Sequence, residues 1–334
     1  MIRRGLIALK SNLIAVVLGS LLVGLVVGQF IDGDTRSLLS AAVLPVVFLM
    51  VYPMMITIDV REVLKVRHHA VPVGLSLIVN FGVAPLVAIA LARVFFGGDV
   101  AFAIGLYFIA LIPTSGMTAA WTGLANGDLE SALVAMAVNL LVAVAVLPIY
   151  LSVLVPASVG FDPTTLYRQL ATVVVAPMVA GALTRQLLLR RYGPEGFKRL
   201  KPTFGGLSSL GVMLIVFIAM AMRSESILAD PLASALVVVP LVVFYTAILI
   251  VGAALGRLLL SDAQGVALVY ATSMRNLSIA LAIVVAADAI PETAVLPIAL
   301  AYVIQPPLGA FYMQYRRDVV DEGRTLREAL AARR

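Results

Sequence analysis
Long apolar runs broken by short polar clusters dominate the chain. Stretches of spanning length, about 20 residues each, fall at approximately 12–30, 38–58, 70–94, 101–125, 131–154, 166–188, 205–222, 232–256, 264–288 and 292–314. This pattern predicts an all-α polytopic membrane protein with ten transmembrane helices. Several runs exceed the minimum, and Pro45, Pro53, Pro85, Pro148, Pro177, Pro240 and Pro306-Pro307 lie inside them as expected kinks.

Two runs are interrupted near their middles. The fourth reads Pro113-Thr114-Ser115-Gly116-Met117-Thr118, and the ninth reads Thr272-Ser273-Met274-Arg275-Asn276-Leu277-Ser278. Thr114-Ser115 and Thr272-Ser273 share an offset of 158 residues with Pro148 and Pro306. Five spans per half force the halves into opposite orientations, so two inverted five-helix repeats are expected at 1–158 and 159–315, followed by a charged tail at 316–334. Paired breaks of this kind mark solute sites, because unwound backbone presents groups that lipid leaves unsatisfied and a solute satisfies.

Charge fixes the expected orientation. Of 24 Lys and Arg residues, 19 fall on one side: the amino terminus, residues 61–67, the basic loop Arg185–Lys201, Arg257 and the tail after residue 315. Only Arg36, Arg93, Arg168 and Arg223 face the other side, so both termini are expected in the cytoplasm of a cell-membrane protein. Met1-Ile2-Arg3-Arg4 begins like a signal peptide, but no small-residue cleavage pattern follows, so a first span is expected instead. The net charge of +6 thus reads as membrane orientation, with the lipid bilayer rather than nucleic acid as partner.

Composition removes most other chemistry. With 62% hydrophobic and 13% charged residues the chain is too apolar for a soluble domain, and zero cysteines exclude disulfides, thiolate metal sites and cysteine nucleophiles. His68 and His69 read as solvated loop residues. No paired-His metal motif, phosphate loop, aspartate pair or nucleotide domain is present, so no catalytic residue or cofactor is expected.

The candidate binding residues are Thr114, Ser115, Thr118, Asn139, Thr272, Ser273, Arg275 and Asn276. Hydroxyl and carbonyl oxygens at the first break suit a hard cation or a hydrogen-bonding solute, although such hydroxyls also bond back to their own helix. Arg275 at mid-bilayer costs about 2.5–3.5 kcal/mol even on the lenient insertion scale. Every carboxylate near the spans reads as a loop or helix-end residue. Arg275 therefore either caps carbonyls of the broken fourth helix or serves as counter-ion to a bound anion. Asn80 reads as an interhelical amide, Trp121 as an anchor or packing residue, and Gly24 with Gly28 as a packing pair within the fold.

At these residues the chain resembles the bile acid/sodium symporter superfamily. The resemblance rests on Ile112-Pro113-Thr114-Ser115-Gly116-Met117-Thr118, on Leu124-Ala125-Asn126-Gly127-Asp128 and on Met274-Arg275-Asn276. Met50-Val51-Tyr52-Pro53-Met54 and Gly74-Leu75-Ser76-Leu77-Ile78-Val79-Asn80 with Ala84-Pro85-Leu86 are similar to its arsenical-resistance branch. The resemblance implies a panel domain of spans 1, 2, 6 and 7, a core domain of spans 3–5 and 8–10, broken spans 4 and 9 crossing in the core, and alternating access. It also implies sodium ligands at Thr114, Ser115 and Asn139 and at two ninth-span positions that are Ala271 and Arg275 here. Losing the carboxylate at Ala271 while gaining a fixed cation at Arg275 argues against sodium coupling, leaving a vestigial sodium site at Thr114, Ser115 and Asn139. The arsenical branch's cysteine aligns with Thr114, and a soft metalloid prefers thiolate to hydroxyl. The reading is a secondary carrier of a small anion, with metalloid efflux as the alternative and a receptor or channel as a third.

Overall fold
The computed structural model describes residues 5–6, 13–155, 163–229, 231–286, 290–316 and 320; the expected tail at 316–334 lies almost wholly outside the described residues. All regular structure among them is helical. In chain order the helices are α1 (Leu13–Val27), α2 (Gly33–Thr57), a 3-10 linker (Val60–His69), α3 (Ala70–Ile78), α4 (Ala84–Phe95), α5 (Val100–Leu111), α6 (Gly116–Leu124) and α7 (Leu129–Leu154). They continue as α8 (Pro163–Leu170), α9 (Ala176–Ala229), α10 (Pro231–Leu236), α11 (Val238–Leu259), α12 (Asp262–Ser273), α13 (Leu277–Ala286) and α14 (Val295–Tyr315). By length and composition seven described helices can cross a membrane, or eight when α5 and α6, bent by 58°, count as one span.

Acids sit where helices begin. Asp32, Asp99 and Asp128 each cap a helix by accepting backbone N–H bonds, which satisfies orphan donors and keeps the carboxylates out of the apolar runs. Burial pushes the Asp128 carboxyl up, but hydrogen bonds from Ser131, the nearby His69 and the Glu130 N–H outweigh it and hold it below the usual range.

Two prolines are absorbed by single π-helical turns. Val79–Val83 precedes Ala84-Pro85, and Ala171–Val175 precedes Ala176-Pro177. Proline lacks an N–H and crowds the carbonyl four residues back, and a wider turn relieves that crowding. The Phe81 carbonyl, which Pro85 cannot serve, instead accepts the Tyr150 hydroxyl.

The expected loop at 185–201 is corrected by the structure. Helix runs through it, interrupted at Gly193 (φ 68°, ψ 175°), a conformation open essentially to glycine alone. Pro194 then starts the next helix, where its fixed φ fits and its missing N–H costs nothing. His69 also departs from expectation. Its Nδ1 lies 2.8 Å from Ser131 Oγ, and its ring nitrogens lie 3.9 Å from Asp128 and Glu130, drawing it into the linker–α7 contact while His68 stays exposed.

The first two helices pack on α9 through glycines. A Cβ on Gly24 would lie 2.7 Å from the Phe217 carbonyl, and one on Gly28 would collide with Ala221 and Ser224, so the pair serves packing within the fold. Helix α2 meets α9 in the same way: a Cβ on Gly211 would lie 2.6 Å from Met50 Cα. On the other side, α11 lies on α12 and α12 touches α3, α6 and α7. Every residue from Gly265 to Val284 is buried, so the second break lies inside the protein and not against lipid.

Candidate functional site
At the first break, Pro113 removes a donor and Thr114 takes φ 51°. A β-branched residue in the left-handed region stores strain, a feature that clusters at functional sites. Ser115 then caps α6: its hydroxyl accepts the Met117 N–H at 3.2 Å, while Thr118 Oγ1 accepts the Ser115 N–H at 3.2 Å. Thr118 in turn donates to the Tyr270 carbonyl (3.3 Å), and Thr114 donates to that of Met136 (3.4 Å).

The second break, Met274–Asn276, contains neither proline nor glycine. Gln305 from α14 holds it open by replacing the missing helical partners of Arg275. Its Oε1 accepts the Arg275 N–H at 2.8 Å and its Nε2 donates to the Arg275 carbonyl at 3.2 Å. Asn276 Oδ1 accepts the Ile279 N–H and caps α13. The two breaks are bonded to each other, because the Asn276 N–H donates to the Ile112 carbonyl (3.2 Å) and Arg275 Nη1 to the Ala110 carbonyl (3.1 Å).

Arg275 is 0% exposed. Its guanidinium carbon lies 5.6 Å from the Phe244 ring centre, and no carboxylate among the described residues pairs with it. Nε and Nη2 have no hydrogen-bond partner among those residues, nor has Asn276 Nδ2. A buried charge with two unused donors is expensive, so capping of α5 through Nη1 accounts for only part of its chemistry.

A cavity of about 830 Å³ abuts this junction. One wall comes from α1, α2 and α9, including Leu18, Thr57, Lys201 and Ser208; the other comes from both breaks, α6, α7 and α14. Two cations, Arg275 and Lys201, border it, and its lining includes no carboxylate among the described residues. The amino-terminal ends of α6 and α13 both open on it at Gly116 and Leu277, presenting the positive ends of two helix dipoles.

Of the eight residues singled out in the sequence, Ser115, Arg275 and Asn276 border the cavity; Thr114, Thr118, Asn139, Thr272 and Ser273 do not. Thr272 and Ser273 bond back to carbonyls of α12. Asn139 joins an interhelical network: its Nδ2 donates to Ser76 Oγ (2.7 Å) and the Ala135 carbonyl (2.8 Å), and its Oδ1 accepts from Asn80. Asn80 Nδ2 also donates to the Ala271 carbonyl at 3.0 Å. Sequence reasoning missed Gln305, whose one signal is an amide in an apolar run directly before Pro306-Pro307. It also missed Lys201 as a cavity residue, and the Ser278–Tyr302 hydroxyl pair (2.9 Å) on the wall. Trp121 borders the cavity and stacks on Tyr270, ring centres 6.4 Å apart.

Residues 44–230, more than half of the chain, match the Sodium Bile acid symporter family. Arsenical-resistance protein Acr3 of Alkaliphilus metalliredigens is 25% identical over 244 residues, covering 67% of this chain and 68% of that protein. Acr3 of Corynebacterium glutamicum is 22% identical over 247 residues, covering 70% of this chain and 66% of that protein. The transporter slr0944 of Synechocystis is 24% identical over 294 residues, with 81% and 76% covered. The buried helix breaks thus sit in a multi-pass membrane transporter, not an enzyme, and the chain belongs to the bile acid/sodium symporter family, near its arsenical-resistance branch.

Proposed function
We propose that this protein is a secondary-active carrier of a small anion that works by alternating access and binds its solute at the junction of the two breaks. The observation that carries the proposal is Arg275: fully buried, without a carboxylate partner among the described residues, with two unused donors, and bordering a cavity that holds a second cation. A bound anion supplies the missing counter-charge. Ser115, Asn276 and the ends of α6 and α13 add donors around it, while Thr114, Thr118, Thr272 and Ser273 shape the breaks. Small movements of the junction bring the anion to the guanidinium.

The same proposal takes the chain as ten spans in two inverted repeats, 1–158 and 159–315. Supporting this, α9 divides at Gly193 and α1 adds a predominantly apolar helix of 15 residues to the eight spans counted by composition. The wall of α1, α2 and α9 belongs to the panel and the opposite wall to the core, so rocking of one against the other moves the cavity between the two faces of the membrane. Both termini are cytoplasmic in this reading. Because the chain has no cysteine, a single cysteine at Lys198 is expected to resist an impermeant thiol reagent in intact cells, whereas one at Thr164 is expected to react. The reverse labelling would overturn the orientation.

Transport is expected to be independent of sodium. The Asn80 amide donates to Asn139 Oδ1 and the Ala271 carbonyl, occupying oxygens that a cation would need, and Ala271 contributes no carboxylate. Counterflow in proteoliposomes, run with a panel of organic acids, oxyanions and arsenite, tests both claims. Saturable counterflow of an anion that is unchanged when Na⁺ replaces K⁺ at clamped potential is the expected result; steep Na⁺ stimulation would contradict the coupling claim. The names of the Acr3 relatives favour a second reading, arsenite efflux through hydroxyl and amide ligands. Counterflow of neutral arsenite that survives loss of Arg275 would select it. Ion currents without counterflow would mean a channel, and binding without either would mean a receptor.

A further inference from the structure
We propose that the solute is a dianion that bridges the cavity, with one anionic group on Arg275 and the other on Lys201. The inference rests on the anion reading of Arg275 and adds to it the second charge that the solute carries.

Lys201 stands on α9 and is exposed at the cavity, on the wall formed by α1, α2 and α9. Its ammonium lies 5.7 Å from the Phe197 ring centre and forms no ion pair within 4 Å among the described residues. The acid nearby, Asp59, is already paired with Arg185 at 2.5 Å. Arg275 stands on the opposite wall, beside the Asn276 amide and the start of α13. Among the described residues the cavity lining between them includes no carboxylate and is largely apolar, with Leu18, Met54, Leu133, Met136 and Val212 contributing.

Two like charges on one cavity repel each other when it is empty of counter-charge, and water between them screens this only partly. A single-headed anion neutralises one of them. A solute with two anionic groups separated by an apolar spacer neutralises both and fits the apolar stretch between. Its two ends also engage walls that move relative to each other in alternating access, so such a solute favours the approach of Lys201 to Arg275, and a monoanion does not. Arg275 provides the planar fork for one carboxylate, and the flexible Lys201 stem adapts to the position of the second.

The test is equilibrium binding to the purified full chain of two matched series: α,ω-dicarboxylates from malonate to suberate, and monocarboxylates of the same carbon number. Dicarboxylates of one preferred length are expected to bind roughly tenfold tighter than their monocarboxylate counterparts, the size of one added charge-assisted contact. Lys201→Gln is expected to remove most of that advantage by weakening the dicarboxylates far more than the monocarboxylates, while Lys201→Arg retains it. Equal affinities for the two series in the native chain, or a Lys201→Gln chain that weakens both equally, would overturn the bridging proposal and leave Arg275 as a single-anion site. If neither series nor inorganic oxyanions bind and Arg275→Met changes nothing, the underlying anion reading fails, and the bridge fails with it.

Discussion

Arg275→Met is expected to abolish saturable anion binding, by about a hundredfold or more, while the protein still inserts and melts at or above the native temperature. Removing one partner of a desolvated charge pair costs about 2–5 kcal/mol in binding. The fold responds differently, because the substitution deletes a buried charge with two unused donors and puts an apolar side chain of comparable length against Phe244. Arg275→Lys keeps the charge but loses the fork, and roughly a tenfold weakening is expected. Isothermal titration and thermal melting on the same preparations separate the two effects. If both variants melt early and the surviving folded protein binds with native affinity, the bond from Nη1 to Ala110 is the residue's whole role and Arg275 is a cap.

Gln305→Leu is expected to cause the largest loss of stability of any single change at the junction. The substitution leaves the N–H and the carbonyl of Arg275 without partners inside protein at membrane depth, and each such group costs about 1–3 kcal/mol. Asn276 is the next residue, so the bond from its N–H to Ile112 loosens as well and the two breaks separate. A melting point several degrees lower and a smaller monodisperse fraction after gel filtration are expected. Gln305→Glu keeps an acceptor for the N–H but no donor for the carbonyl, and it brings a carboxylate beside Arg275. Its expected signature is milder destabilisation with a sharp loss of anion affinity, because the new carboxylate competes with the solute. Native melting of Gln305→Leu would mean that the junction is held by contacts between the breaks alone.

The contrast between the two breaks explains what the sequence could reveal. The first announces itself locally: Pro113 bars continuation of one helix, Ser115 caps the next and Gly116 opens it, all within four residues. The second is opened by a side chain thirty residues downstream, in another helix, and only the polar run from Thr272 to Asn276 hints at it. Which hydroxyls reach the cavity was not legible either. The left-handed turn at Thr114 breaks the helical phase and sends Ser115, not Thr114, to the wall, while Thr272 and Ser273 keep helical phase and bond inward. The 185–201 segment read as a loop because its charges exclude it from a span, yet Arg, Lys and Glu are good helix formers and only Gly193 departs. Lys201 falls at that boundary between loop and span, so its place on the cavity wall is purely a product of packing.

Trp121 gives this cavity an optical consequence. It is the single indole of the chain, and it forms part of the wall near Gly309 and against Tyr270. Red-edge excitation therefore reads one position without engineering or labels. A solute that displaces water from the cavity shifts that emission to shorter wavelength, and movement of α6 against α12 changes the stacking of the indole on Tyr270 and with it the emission yield. The two signals differ in kind, so stopped-flow emission can time solute entry and helix rearrangement separately in the unmodified protein.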